Sequence, residues 1–156
     1  MRIRLCEATI YDINRRFGNN IRKRRSKSYK VKVKEFTINP LYIVFEVTGG
    51  ARPYEVDLAF KDVNPKSKRA IENAIKNNQI LIGCSCFDFR YRFAFNSNKN
   101  GFGFNTEHRP SKITNPNDSL GPACKHVAAV LDNLSWVSQV SNGIREEESK
   151  EKDNKK

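Results

Sequence analysis

Gly83-Cys84-Ser85-Cys86 is followed, after a spacer of thirty-seven residues, by Cys124-Lys125-His126. These two short stretches decide how the rest of the chain is read. Thiolate and imidazole are the donors that Zn²⁺ takes in closed tetrahedral structural sites. Three of the four cysteines and one of the two histidines fall in the pair. Closely spaced cysteines in a reducing compartment read as metal ligands before disulfides. Gly83 is expected to give the tight backbone that aims Cys84 and Cys86 at one ion. The prediction is one structural Zn²⁺ per chain, held by Cys84, Cys86, Cys124 and His126. Four protein ligands leave no open position for a reactive water, so the chain reads as a non-enzyme. A deaminase would need a His-x-Glu with a Cys-x-x-Cys pair, and neither occurs. A cysteine nucleophile paired with His126 lacks a third orienting group.

Upstream of the first pair the pattern is that of strands. Tyr29 to Ile38 alternates, Leu41 to Val47 is β-branched and aromatic, and Tyr54 to Phe60 alternates again with Val56, Leu58 and Phe60 facing inward. Asn39-Pro40 and Gly49-Gly50 are turns between them. Asn64-Pro65 reads as the cap and first-turn proline of a helix to about Asn78, with Ala70, Ile71, Ala74 and Ile75 as its apolar stripe. Gln79 to Ile82 is a short strand that runs into the cysteines. Downstream, Val127, Val130, Leu131, Leu134 and Val137 recur at helical spacing, so one helix begins at the second ligand pair. The fold class is α+β: an antiparallel β-meander with a covering helix, a zinc knuckle and a C-terminal helix. Its core is modest, since only 38% of the residues are hydrophobic and the mean hydropathy is −0.69.

Phe87-Asp88-Phe89-Arg90-Tyr91-Arg92-Phe93-Ala94-Phe95 places five aromatics at every second position. At period two this is a strand with one aromatic face. A helix competes, because Phe87, Tyr91 and Phe95 also recur every fourth residue, and the strand is preferred. Most of these rings read as core, with Arg90 and Arg92 as surface contacts. Residues 96–122 read as an ordered-looking loop, with His108 at its surface.

The net charge of +12 and a pI near 9.7 call for an anionic partner. Residues 1–35 hold twelve Lys or Arg against Glu7, Asp12 and Glu35, a net of +9. The run Arg22-Lys23-Arg24-Arg25-Ser26-Lys27 lies in polar sequence and reads as a loop or flexible arm able to track phosphates. Candidate nucleic-acid or partner contacts are therefore Arg22, Lys23, Arg24, Arg25, Lys27, Arg90, Arg92 and Lys125. Cys6 reads as a small buried hydrophobe in a first strand. Residues 1–28 form a basic strand or arm, 29–139 a single α+β domain containing a zinc module at 81–137, and 140–156 a disordered charged tail. No apolar run approaches a bilayer span and the N-terminus has no signal-like core, so a host-cell cytoplasmic protein without membrane or small-molecule partners is expected.

With Cys84-x-Cys86, a spacer and Cys124-x-His126 followed by apolar helix positions, the sequence resembles the SWIM-type zinc finger over roughly Leu81 to Val137. In that family the first pair lies on a β-hairpin and the second at a helix start. The spacer here is longer than usual for it. The strings Asp88-Phe89-Arg90-Tyr91-Arg92-Phe93, Arg109 to Asn117 and Gly121-Pro122-Ala123-Cys124-Lys125-His126 also look like zinc-knuckle proteins of large tailed bacteriophages, often virion components. The resemblances imply a zinc-stabilised structural component of a larger assembly, with other virion proteins as partners and the virion as final location. The alternative is a free nucleic-acid-binding accessory protein that holds DNA or RNA through its basic arm.

Overall fold

The computed structural model describes residues 8–17, 21–38, 40–63, 67–94, 97, 101, 103, 122–143 and 153–155. The fold is α+β. Four strands, β1 (Lys30–Thr37), β2 (Tyr42–Thr48), β3 (Tyr54–Phe60) and β4 (Ile80–Cys84), form one antiparallel sheet in the order β1-β2-β3-β4. Each strand pairs with its sequence neighbour, as alternation and short turns dictate. Cross-strand pairs Ile43↔Leu58, Phe45↔Val56 and Leu58↔Ile82 line up one apolar face. The same face carries Cys84 opposite Val56, so the register that builds the core also delivers the first ligand. On the other face Glu46 pairs with Glu55 and Val44 with Asp57. A bulge at Lys34 shifts the register of β1 against β2, and Lys34 reaches Glu55 with its ammonium group.

Helices cover the apolar face. α1 (Ile10–Phe17) buries Ile13 and Phe17, α3 (Lys68–Asn77) buries Ile71 and Ile75, and α4 (Lys125–Asp132) touches all four strands. α1 begins at a reciprocal cap: the Asp12 N–H donates to Thr9 Oγ1 at 3.2 Å, and the Thr9 N–H donates to Asp12 Oδ2 at 3.0 Å. The cap of α3 is Ser67, whose hydroxyl accepts from the Ala70 N–H at 3.1 Å. The expected start at Asn64-Pro65 thus gives way to a serine three residues on, and residues 64–66 lie outside the described ones. The expected single C-terminal helix is broken. Asn133 leaves helical backbone at φ −119° and ψ 103°, and its side chain accepts from the Ser135 N–H to start a tighter turn over Leu134–Trp136. Trp136 can then donate its indole N–H to the Val130 carbonyl at 3.0 Å and set its ring edge-on against Phe45. Residues 137–143 are again helical.

Two further expectations are corrected. The basic run is no flexible arm: Ile21–Ser26 forms a helical segment, α2, packed on α4, with Arg22 and Ser26 buried. Residues 87–94 are helical and not a strand, widening to a π-helical turn over Phe89–Phe93. The four-residue repeat wins because Phe89 and Phe93 bury side by side while Phe87 and Tyr91 stack outside. Cys6, His108, Phe95, nearly all of the 96–122 loop and residues 144–152 and 156 of the expected tail lie outside the described residues, whereas 140–143, expected as the start of that tail, continue the helix with Val140 and Ser141 buried. Among the described residues no helix is long and apolar enough to cross a membrane.

Candidate metal centre

The four predicted ligands converge. One donor atom from each of Cys84, Cys86, Cys124 and His126 lies within 4.8 Å of the other three, and all four residues are buried. Cys84 ends β4, which continues through Gly83 as extended strand, so the expected tight glycine turn is not what aims it. Alignment comes from Ser85 instead. Its hydroxyl accepts from the Glu55 N–H at 2.9 Å, and its own N–H donates to the Glu55 carbonyl at 2.9 Å. The residue between the two cysteines is thereby tied to β3. Cys86 then turns the chain: its sulfur accepts from the Phe89 N–H at 3.3 Å and its carbonyl from the Arg90 N–H at 3.1 Å.

The second pair is set by α4. Cys124 is its N-cap residue, with extended backbone, and its carbonyl accepts from the Ala128 N–H at 3.0 Å. His126 follows in the first turn, 4% exposed. Two rings hold the imidazole: Tyr29 edge-on at 5.2 Å and Tyr54 tilted at 4.8 Å between centroids. Tyr29 gains its place because residue 49 is glycine. A Cβ there would lie 2.4 Å from the Tyr29 ring, and φ at Gly49 is +155°.

The sulfurs of the cluster shift one another's proton affinity in opposite directions. Burial pushes the Cys124 thiol up, and its hydrogen bonds to Cys84 and Cys86 push it further. At Cys84 the hydrogen bond with Cys124 pulls down, but hydrogen bonding to Cys86 and burial outweigh it. Cys86 is driven well down because Cys124 and Cys84 both direct hydrogen bonds to its sulfur. Of the three thiols, Cys86 is the one pushed down, and Cys84 and Cys124 are pushed up. Among the described residues His126 Nδ1 is buried with no hydrogen-bond partner, a costly state for an imidazole nitrogen. A cation among the four donors, bound at one of the His126 ring nitrogens, would favour deprotonation of all three thiols. The residues fit a metal ion.

The remaining predicted contacts are placed differently from expectation. Arg22 is not a surface contact. Its guanidinium donates to Asp88 from Nε at 3.1 Å and from Nη2 at 3.3 Å, and lies 5.1 Å from the Phe93 ring centroid. Arg92 Nη1 shares Asp88 at 3.3 Å, and Lys23 pairs with Asp132 at 3.7 Å. Arg24, Arg25, Lys27 and Arg90 are exposed. Lys125 points its ammonium over the Tyr29 ring at 5.7 Å.

Sequence reasoning missed Tyr29, Tyr54, Glu55 and Asp88 as supports of the centre. Tyr29 and Tyr54 carry no local signal, because the histidine they flank lies 97 and 72 positions further along. Asp88, an acidic residue two positions past Cys86, was the one legible clue.

No family model, curated protein or solved structure matches the chain.

Proposed function

We propose that the chain is a non-enzymatic protein whose fold is closed by one structural zinc ion, and that it serves as a component of a larger assembly. The observation that carries the first part is the buried set of three sulfurs and one imidazole with its unpartnered His126 Nδ1. Soft thiolates with an imidazole in a closed set of four select zinc over magnesium, calcium or manganese. When bound, zinc supplies cross-linking between β4 and α4. The chain's own residues prepare that site: the Glu55–Ser85 pair holds the knuckle, the Phe89 N–H steadies Cys86, and Tyr29 and Tyr54 fix the imidazole plane.

The assembly reading is supported by how charge is distributed. Arg24, Arg25 and Lys27 are exposed on the helical side, whereas the outer face of the sheet interleaves Glu46, Glu55 and Asp57 with Lys32, opposite Glu46, and Lys34, paired with Glu55. With the charges of the sheet face largely paired, the cationic helical side is the surface that calls for an acidic neighbour. The likeness to phage zinc-knuckle sequences makes a virion the setting to test first. Elemental analysis of the purified protein tests the metal, with one zinc per chain expected and less than half an equivalent after His126→Ala. Isolation of the native complex followed by mass spectrometry tests the assembly. A protein recovered only as a free monomer overturns it.

A further inference from the structure

The rings that flank His126 belong to a longer strip. On one side Lys125 lies 5.7 Å from the centroid of Tyr29, which meets the histidine. On the other, Tyr54 meets the histidine and carries Arg52 at 5.1 Å from its centroid. Arg52 also lies 5.7 Å from the centroid of Phe87, and its Nε donates to the Tyr54 hydroxyl at 3.2 Å. Phe87 stacks on Tyr91 with 5.8 Å between centroids and 5° between planes, and Arg90 stands 5.9 Å from the Tyr91 centroid. Cations and rings therefore alternate across the outside of the metal centre.

Two features separate this strip from ordinary packing. Phe87 is 54% exposed, although a ring of that size gains by burial. Arg52, Arg90 and Lys125 have no carboxylate within ion-pair distance among the described residues, whereas Arg22, Lys23, Lys34 and Arg92 each have one. The cations of the strip keep their charge for a ligand. A guanidinium already held against two rings loses little freedom when it grips a phosphate.

We propose that this strip binds single-stranded nucleic acid, with Arg52, Arg90 and Lys125 on phosphates and Phe87 with Tyr91 as a stacking platform for unpaired bases. A net charge of +12 complements a polyanion, and every base offers a π-face to an exposed ring. Duplex bases are already stacked on one another, so the platform discriminates against them. The proposal goes beyond the assembly reading and rests on the zinc reading only through the alignment of His126.

The experiment is fluorescence anisotropy of the full chain with labelled single strands and the matching duplex of about 15 nucleotides, across a salt series from about 25 mM. Zinc content is measured on every sample. Single strands bind more tightly than duplex, and Phe87→Ala lowers single-strand affinity about tenfold with the salt slope unchanged. Phe87→Trp restores it. Arg52→Ala weakens binding and reduces the logarithmic salt slope by about 0.7. Equal affinity for both forms with Phe87→Ala silent overturns the stacking platform, leaving generic charge attraction. No binding at the lowest salt by zinc-loaded protein overturns the proposal and assigns the strip to a protein partner. Binding through Phe87 by a protein that carries no zinc upholds the strip and overturns the zinc reading alone.

Discussion

The sheet core and the metal corner share Cys84, yet they are held together by different means. Across the sheet, Ile43, Phe45, Val56, Leu58 and Ile82 are fully buried and touch one another directly, so removal from water is enough to keep them. At the corner, three thiols and a histidine face each other. Their burial without a cation leaves one nitrogen unpartnered and two thiols with raised pKa values. The core is complete in the chain itself. The corner brings together four donors close enough to hold a metal ion.

The sharpest way to break that contrast is to remove the cation. Cys124→Ser, or chelation of the wild type, is expected to abolish metal binding and release α4 from β4, at a cost on the order of 10 kcal/mol as in small zinc domains. In hydrogen exchange, amides of α4 lose protection while those of β2 and β3 keep part of theirs. Simultaneous loss in both regions means that the core does not stand without the corner.

The reverse test is Leu58→Ala, which opens a cavity in the core at a cost of about 3 kcal/mol. Zinc stoichiometry stays at one per chain, read by elemental analysis on folded protein. A third test addresses the pin between α2 and the knuckle. Arg22→Ala leaves Asp88 with Arg92 alone and is expected to destabilise by about 2 kcal/mol, below the value for a fully buried pair because Asp88 remains 29% exposed. Urea unfolding measures it. A change within error places α2 outside the cooperative unit.

The smallest effect lies on the outer face of the sheet. There the Tyr42 hydroxyl donates to Asp57 Oδ1 at 3.2 Å. Burial and the Asp57 charge push Tyr42 up to about 12, and burial pushes the Asp57 carboxyl up despite that hydrogen bond. Both folded pKa values are raised. Stability tied to Asp57 is therefore full below the ordinary carboxylate range and is lost as pH rises through the raised value. Stability tied to Tyr42 is full below 10.0 and is lost as pH rises through about 12. Asp57→Asn moves one tyrosinate absorbance step back toward 10.0 and leaves zinc content untouched.

Much of this contrast was legible in the residues. Alternation in Tyr54 to Phe60 set both the strand and its inward face, and the spacing of Cys84, Cys86, Cys124 and His126 identified a cluster that the fold closes. Local pattern failed where distant residues decide. Arg22 reads as solvated until Asp88, 66 positions away, is placed beside it. Period two and period four both fit Phe87 to Phe95, and only the burial of Phe89 with Phe93 against the core separates them. Asn133 sits inside an apolar helical repeat, and its capping of Ser135 overrides a periodicity that runs straight through it.

The packing of α1 and α2 on α4 has a consequence for the order of assembly. The meander can zip in chain order, each strand meeting the one just made. The N-terminal helices cannot follow that order. Asn14 reaches the Leu131 carbonyl across 117 positions, and Arg22 waits 66 positions for Asp88. The basic helix α2 precedes α4 in the chain and packs on it, so α2 cannot dock until the whole sheet and α4 have been made. That docking gives Lys23 its partner Asp132, while Arg24, Arg25 and Lys27 stay exposed after it, so the fold neutralises only part of the basic helix.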